Sequence, residues 1–459
     1  VAGLVLAVLV AVAGTAGGAV LSVQLAGPIR GYLTPVPPAP AIPYPVPGLQ
    51  STAPPVLSAA GTGGAKPTSS GIANQISQAV ADSRLGPSVS ISVRDSIGES
   101  LYGSGDSKPV PAASTTKLLT AVAALNSFGP QYRFQTKAFL GNAGTVYLVG
   151  GGDPTLGIGP ATAYPGAARL DQLAAQVRKA LGGESVSKIV VDTSLFSGPT
   201  SAAGWDPGDI GGGDVAPIGP LMVDGGRTSP SVAARGRTTT PAIFAAKGFA
   251  KALGVPSTYI GLGKAPSGLR QAGVVSSPML SDIVEMNLQN SDNVISEVLA
   301  HQVALKNGQP GSFAGGGAAV PSVLGALGVP AADAQLADAS GLSRNDRVTA
   351  RLLSSVLATA SSPSHPNLRA AITGLPVAGY SGTLDDRYTS GKARSAAGLV
   401  RAKTGTLTGV SSLAGTVVDS SGQVLVFAIV ADQVPAGGTA AAEAALDVIA
   451  AKIAGCGCS

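Results

Sequence analysis

Residues 398–432 read GLVRAKTGTLTGVSSLAGTVVDSSGQVLVFAIVAD, and this run leaves the chain few folds to choose from. Three stretches rich in Val, Thr, Ile and Phe are parted by two turn signals, Thr408-Gly409 and Ser420-Ser421-Gly422. β-Branched and aromatic residues favour strands, and turns this short join antiparallel neighbours. The run predicts three strands, and TAAAEAALDVIAAKIAG follows as a closing amphipathic helix. Near the other end, SVSISVRD alternates apolar and polar residues as a half-buried strand does, with ESLYG as its hairpin partner. IANQISQAVADSRL has helical spacing and opens the folded body near Ile72. PAASTTKLLTAVAALNSFG reads as a turn and then a strongly apolar helix. KIVVDTSLF, from Lys188 to Phe196, predicts a strand. SSPMLSDIVEMNLQNSDNVISEVLAHQVA predicts two helices broken around Asn290–Asn293. The order of these elements predicts a mixed α/β body.

Ahead of that body the composition changes. Residues 1–27 carry no charge and begin with a nearly continuous apolar run, the pattern of a signal or membrane-anchor segment. Residues 28–71 follow as a linker, with ten prolines between Pro28 and Pro55 that favour extended polyproline II. An anchor, a spacer and a body predict an enzyme held at a membrane on its extracytoplasmic side, or secreted. The net charge of +5, from 30 basic and 25 acidic residues, is scattered and forms no basic stripe, so nucleic acid is not an expected partner. Two histidines exclude a multi-histidine metal site, and no cofactor is expected. Cys456 and Cys458 are one residue apart, which disfavours a bond between them, and they read as a frayed tail.

Three short motifs carry the candidate chemistry. In Ser114-Thr115-Thr116-Lys117, at the start of the apolar helix, i+3 spacing turns Lys117 back toward Ser114. A serine hydroxyl needs a base, and desolvation would free the lysine amine to accept a proton. Ser291-Asp292-Asn293 falls between two helices, where a hydroxyl and a carboxamide could relay a proton and hold an amide, or simply cap a helix. Lys403-Thr404-Gly405-Thr406 lies in a predicted strand, where glycine allows close backbone approach and a strand edge can pair with a peptide. Each motif alone is common. Together they stand in one order, each on the element its chemistry needs.

The set resembles that of serine β-lactamases and penicillin-binding proteins. The long interval between Ser114 and Ser291 narrows the resemblance to the D-alanyl-D-alanine carboxypeptidase/endopeptidase family, the class C low-molecular-mass penicillin-binding proteins. PAASTTKLLTAVAALNSFGPQYRF, LVGGGDPTL, DTSLFSG, DASGLSRNDRVTA, LPVAGYSGTL and AKTGTLTGVSSLAG are similar to stretches of that family. The resemblance implies a transpeptidase fold, an antiparallel sheet flanked by helices, with a domain inserted between the first two motifs. The expected segments are catalytic at 72–140, inserted at 141–274 and catalytic again at 275–459.

It also implies roles. Ser114 matches the acylated nucleophile, Lys117 its base and Ser291 a proton relay. Asn293 matches the holder of the substrate amide. Lys403, Thr404, Gly405 and Thr406 match the substrate-binding strand, with the Thr406 and Ser114 N–H groups as oxyanion donors. Asp209 in GWDPGD and Arg344 in SGLSR match the walls of a pocket for a diaminopimelyl side chain, although Asp214 stands where some members have an aromatic residue. Asp153 in GGGDPTL reads as a turn residue. The implied activity is cleavage of D-Ala-D-Ala in peptidoglycan stem peptides, with DD-endopeptidase action through the same acyl-enzyme and β-lactams as covalent inhibitors. Two rivals share the fold. A β-lactamase would need a deacylating glutamate, for which Glu285-Met-Asn-Leu288 is a near miss on the wrong side of Ser291. A non-catalytic wall-binding scaffold would not need all three motifs intact.

Overall fold

The structure is a computed structural model that describes residues 66–458. The segment read as signal or anchor, and the linker up to residue 65, lie outside the described residues. Among the described residues no helix is long and apolar enough to cross a membrane.

The body opens on helix α1 (Ser69–Val80), whose first turn is capped by the Thr68 hydroxyl accepting from Gly71 N. Strands β1 (Val89–Asp95) and β2 (Ser100–Ser104) form the expected hairpin. Helix α2 (Lys117–Phe128) follows a 3₁₀ turn at Ala113–Thr116. Next come β3 (Gln135–Leu140), β4 (Thr145–Val149), α3 (Leu170–Leu181), β5 (Lys188–Asp192), α4 (Pro241–Leu253), β6 (Ile260–Leu262) and β7 (Arg270–Ser276). Four helices follow: α5 (Leu280–Asn290), α6 (Asn293–Lys306), α7 (Phe313–Ala326) and α8 (Ala350–Ser361). The chain closes with β8 (Val400–Leu407), β9 (Val410–Val418), β10 (Val424–Ala431) and α9 (Thr439–Ala454).

The first sheet runs β2-β1-β10-β9-β8, antiparallel throughout. The period of two divides its side chains between two cores. Val426, Ala428 and Val430 pack with α2, α5, α6 and α8, whereas Leu425, Phe427 and Ile429 pack with α1 and α9. Helix α2 is therefore enclosed: every residue from Lys117 to Leu125 is buried.

A second sheet, ordered β6-β5-β4-β3-β7, has parallel pairs at β4/β5 and β5/β6 and antiparallel pairs around β3. Helices α3 and α4 supply its core. Its strands β3 and β7 overrun the 141–274 segment at both ends, and α1 begins inside the stretch read as linker. The strand expected from Lys188 to Phe196 stops at Asp192, where the carboxylate accepts from Ser194 N and turns the chain.

The tail departs from expectation. Cys456 and Cys458 are paired as a disulfide, and Cys456 is buried in the α1/α9 core. The Thr68 N–H and hydroxyl both donate to the Cys458 carbonyl, at 2.8 and 3.2 Å. Backbone hydrogen bonding and burial hold a tail that composition alone left loose.

Candidate active site

Ser114 sits in the 3₁₀ turn ahead of α2, just after Ala113, a residue with φ of +49°. A left-handed alanine is uncommon and costs roughly 1–2 kcal/mol, so the surroundings must hold the turn. The Ala112 carbonyl accepts from the Thr115 and Ser412 hydroxyls at 2.6 and 2.7 Å. Gly405 brings β8 against the same turn: a Cβ there would lie 2.2 Å from Ser412 Oγ and 3.0 Å from Ser114 N. This is the close approach for which glycine is suited.

Lys117 is wholly buried, and its Nζ touches three oxygens. They are Ser114 Oγ at 2.9 Å, Asn293 Oδ1 at 2.6 Å and the Ser340 carbonyl at 2.8 Å. Burial pulls its pKa down to about 8, outweighing the attraction of Asp338, Glu297, Asp292 and Asp346. An amine that keeps two protons for Asn293 and Ser340 directs its lone pair at the Ser114 hydroxyl. The first motif thus holds a serine hydroxyl and a lysine amine in contact.

The second motif divides. Asn293 reaches Lys117 through Oδ1 and gives Nδ2 to the Asp214 carbonyl at 2.9 Å. Ser291 takes a left-handed conformation, φ +53°, at the end of α5. Among the described residues its hydroxyl makes no hydrogen bond to Lys117 or Ser114. Asp292 caps α6 by accepting from Ile295 N and forms a buried pair with Arg227 at 3.0 Å. Tyr164 donates to the same Asp292 oxygen at 2.7 Å. Burial pushes the Asp292 carboxyl up, but Arg227 and Arg237 outweigh it and hold it below its usual value. The inter-helix turn is therefore pinned by residues that the motifs do not contain.

The third motif lies on β8, an outer strand of the first sheet. Ala402 N donates to Pro376 O and Val400 O accepts from Ala378 N, so even-numbered residues turn their backbone groups outward. The edge is covered at its start and presents Thr404 and Thr406 beyond. Lys403 is buried beneath the strand, with Nζ on the Thr404 carbonyl at 2.7 Å. Burial, and then Lys117 and Arg387, push its pKa well down. The Thr404 hydroxyl donates to Thr383, and the exposed Thr406 hydroxyl to Glu443.

Ser114, Asn293 and Thr406 share a cleft of about 840 Å³ with Asp206, Asp209, Asp214 and Arg344. The residues from GWDPGD and SGLSR thus meet Ser114 in one cleft, far apart in sequence as they are. Asp209 Oδ2 accepts from Asp206 N, and Arg344 donates to the Thr408 carbonyl. Burial raises the Asp209 pKa, with Asp206 and Asp214 adding to it against Arg344. Asp214 is paired with Arg235 at 3.0 Å.

One residue that sequence reasoning passed over joins these parts. Asp338, the first residue of DASGLSRNDRVTA, accepts from Ser340 N and Oγ, Gly341 N, Ser343 N and Trp205 Nε1. It ties the loop carrying Asp209 to the loop whose Ser340 carbonyl meets Lys117. Beside it, burial and the Asp338 charge push the Asp346 carboxyl well above the usual carboxylate range. Glu297, on α6, is likewise pushed well up by burial and Asp338, and accepts from Ala339 N. Asp153 accepts from Thr155 N and Oγ1, as a turn residue does. Glu285 is exposed on α5 and does not line the cleft.

The chain is similar to known proteins in sequence and in fold. A carboxypeptidase of Mycobacterium tuberculosis is 39% identical over 428 residues, covering 92% of this chain and 91% of its own. The carboxypeptidase DacB of Mycolicibacterium smegmatis is 42% identical over 403 residues, with 85% of each chain covered. The fold is similar to that of penicillin-binding protein 4 from Haemophilus influenzae, with a TM-score of 0.64 at 22% identity, covering 78% of this chain and 92% of that one. The sequence profile of the D-Ala-D-Ala carboxypeptidase 3 (S13) family matches residues 72–240 and 234–453. With both halves of the cleft inside those matches, the chain belongs to the D-Ala-D-Ala carboxypeptidase 3 (S13) family.

Proposed function

We propose that the chain hydrolyses the terminal D-Ala-D-Ala bond of peptidoglycan stem peptides through an acyl-enzyme on Ser114. The observation that carries this reading is the buried Lys117 amine 2.9 Å from Ser114 Oγ. Ser114 Oγ attacks the penultimate carbonyl as its proton passes to Lys117. The Ser114 and Thr406 N–H groups donate to the developing oxyanion, Lys117 returns the proton to the departing amine, and water releases the acyl group. Cleavage of a D-Ala cross-link uses the same steps, so DD-endopeptidase action is open to the same site. β-Lactams would acylate the same serine. Asn293 would exchange its bond to the Asp214 carbonyl for the substrate amide, and Ser291 would join the relay only after its hydroxyl turns inward. The N-terminal segment would hold the enzyme at the membrane or export it, outside the cytoplasm.

Turnover tests this reading. A diacyl peptide ending in D-Ala-D-Ala should be hydrolysed repeatedly, while penicillin should leave a slowly released adduct on Ser114, seen by intact mass and peptide mapping. Rapid repeated penicillin turnover would instead make the chain a β-lactamase, and no reaction with either would make it a scaffold.

Asp209 and Arg344 would hold the ammonium and carboxylate of a diaminopimelyl end. Asp209→Asn should lower kcat/KM for peptides with a free diaminopimelyl group by about tenfold to a hundredfold. Penicillins lacking that amino group should react nearly as before. Equal loss on both substrates would show that Asp209 does not recognise the side chain.

A further inference from the structure

The loop from Asp338 to Ser343 meets both the start of α2 and the turn ahead of it, through residues outside the three motifs. The Ser340 carbonyl accepts from Lys117 Nζ at 2.8 Å. Gly341, with φ of +77°, lies against the Ala113 carbonyl, where a Cβ would come within 1.9 Å. Glycine permits both the left-handed conformation and the close approach. Ala113 is the left-handed residue of the Ser114 turn, so the loop bears directly on the part of that turn least stable by itself.

One carboxylate shapes the loop. Asp338 is 2% exposed. Its Oδ1 accepts from Ser340 N and Gly341 N at 3.2 and 2.7 Å, the two residues that reach the turn and α2. Its Oδ2 accepts from Ser340 Oγ, Ser343 N and Trp205 Nε1 at 3.2, 2.7 and 2.8 Å.

Lys117 depends on the carbonyl so placed. A neutral amine has two N–H groups and one lone pair. The lone pair stays on Ser114 Oγ while Asn293 Oδ1 and the Ser340 carbonyl take the two protons. Asn293 is also the residue that would turn to the substrate amide, which leaves Ser340 as the acceptor with no second duty. The charged groups facing Lys117 are Asp338 and Asp346 from one segment, Glu297 from α6, Asp292 from the turn before it and Lys403 from β8. Among the carboxylates, Asp338 attracts the Lys117 ammonium most strongly.

We infer that Asp338 is a positioning residue for acylation, fixing the Ser340 carbonyl on Lys117 and the Gly341 backbone on the Ser114 turn so that the base is aimed at the nucleophile. The inference deepens the acyl-enzyme reading above and rests on it.

The test follows penicillin labelling of Ser114 against pH on the full chain. Asp338→Asn keeps the size of the side chain and removes its charge. The plateau rate should fall about tenfold to a hundredfold, the range for a slightly misplaced reacting group. The inflection, near pH 8 in the unmodified chain, should move down by about one pH unit, because the ammonium loses its strongest neighbouring attraction. A loop that is merely loosened would admit water to Lys117 and move the inflection up toward 10.5. Trp205→Phe keeps the charge and an aromatic ring but withdraws one donor from Asp338, and should slow labelling about threefold to tenfold. If Asp338→Asn does not fold, the Trp205→Phe rate decides. An original rate in either folded variant overturns the inference, as does an inflection in Asp338→Asn that stays or moves up. No labelling of Ser114 in the unmodified chain is a different result, and overturns the acyl-enzyme reading together with the inference.

Discussion

Ser114→Ala should abolish covalent penicillin labelling and leave the fold intact. The hydroxyl meets the Lys117 amine and supports no other part of the turn. The turn itself rests on Ala112, Thr115, Ser412 and the absence of a side chain at Gly405. Removing one oxygen from a half-buried position should therefore leave thermal stability within about 1 kcal/mol. Acylation should fall by at least about 10⁴-fold, because the attacking atom is gone and water has no comparable position. Labelling is read by mass after penicillin exposure, and folding by the thermal transition. A folded variant that labels at the original rate would mean that another residue is the nucleophile.

Lys117→Met should cost acylation about 10³-fold or more, since a positioned base commonly supplies two to four orders of magnitude. The rate of the unmodified enzyme should rise with pH and level off above about 8, where burial places the Lys117 pKa. That inflection should vanish in the variant. Stability gives an independent sign. In the unfolded chain the lysine titrates near 10.5, so between about 8 and 10.5 the unfolded state binds more protons and the folded state gains with rising pH. Below pH 8 the buried ammonium costs about 3 kcal/mol, a penalty that methionine does not carry. Against this, the Asn293 and Ser340 oxygens lose a donor, at about 1–3 kcal/mol each. A variant that keeps near-original acylation and the same pH profile would show that a different group takes the proton.

The strands around the third motif were legible because local rules and tertiary structure agree there. Alternation, β-branching and a glycine turn at 409 all pointed to β8, β9 and β10. The contact between Ser114 and Lys117 was also legible, because i+3 spacing is a property of one turn. What holds the rest of the site was not. Arg227 and Tyr164 reach Asp292 from another part of the chain, and no local pattern marks them. Asp338 opens DASGLSRNDRVTA, but its five donors come from two loops, and sequence spacing does not mark their meeting. Helix α7 contains Gly315, Gly316, Gly317 and Pro321, residues that disfavour helices. It forms because Gly316 lets it pack onto Ala300 of α6, where a Cβ would come within 3.1 Å of the alanine methyl. The three consecutive bonds that join Lys117, Asn293, Asp214 and Arg235 likewise belong to the folded state, since no local pattern brings these partners together.

The bond from Thr68 to Cys458 makes the body a closed loop with a seam. The relative positions of Ser114, Asn293 and Thr406 rest on contacts across sheets and helices, and none of those contacts depends on which end of the chain comes first. A short linker across the seam would permit circular permutation, with new ends opened at an exposed turn such as residues 182–185 after α3, outside the cleft lining. A reporter fused beyond Cys458 would emerge beside Thr68, where the preceding segment enters the body. It would monitor the surroundings of that entry point and leave the reaction cleft unobstructed.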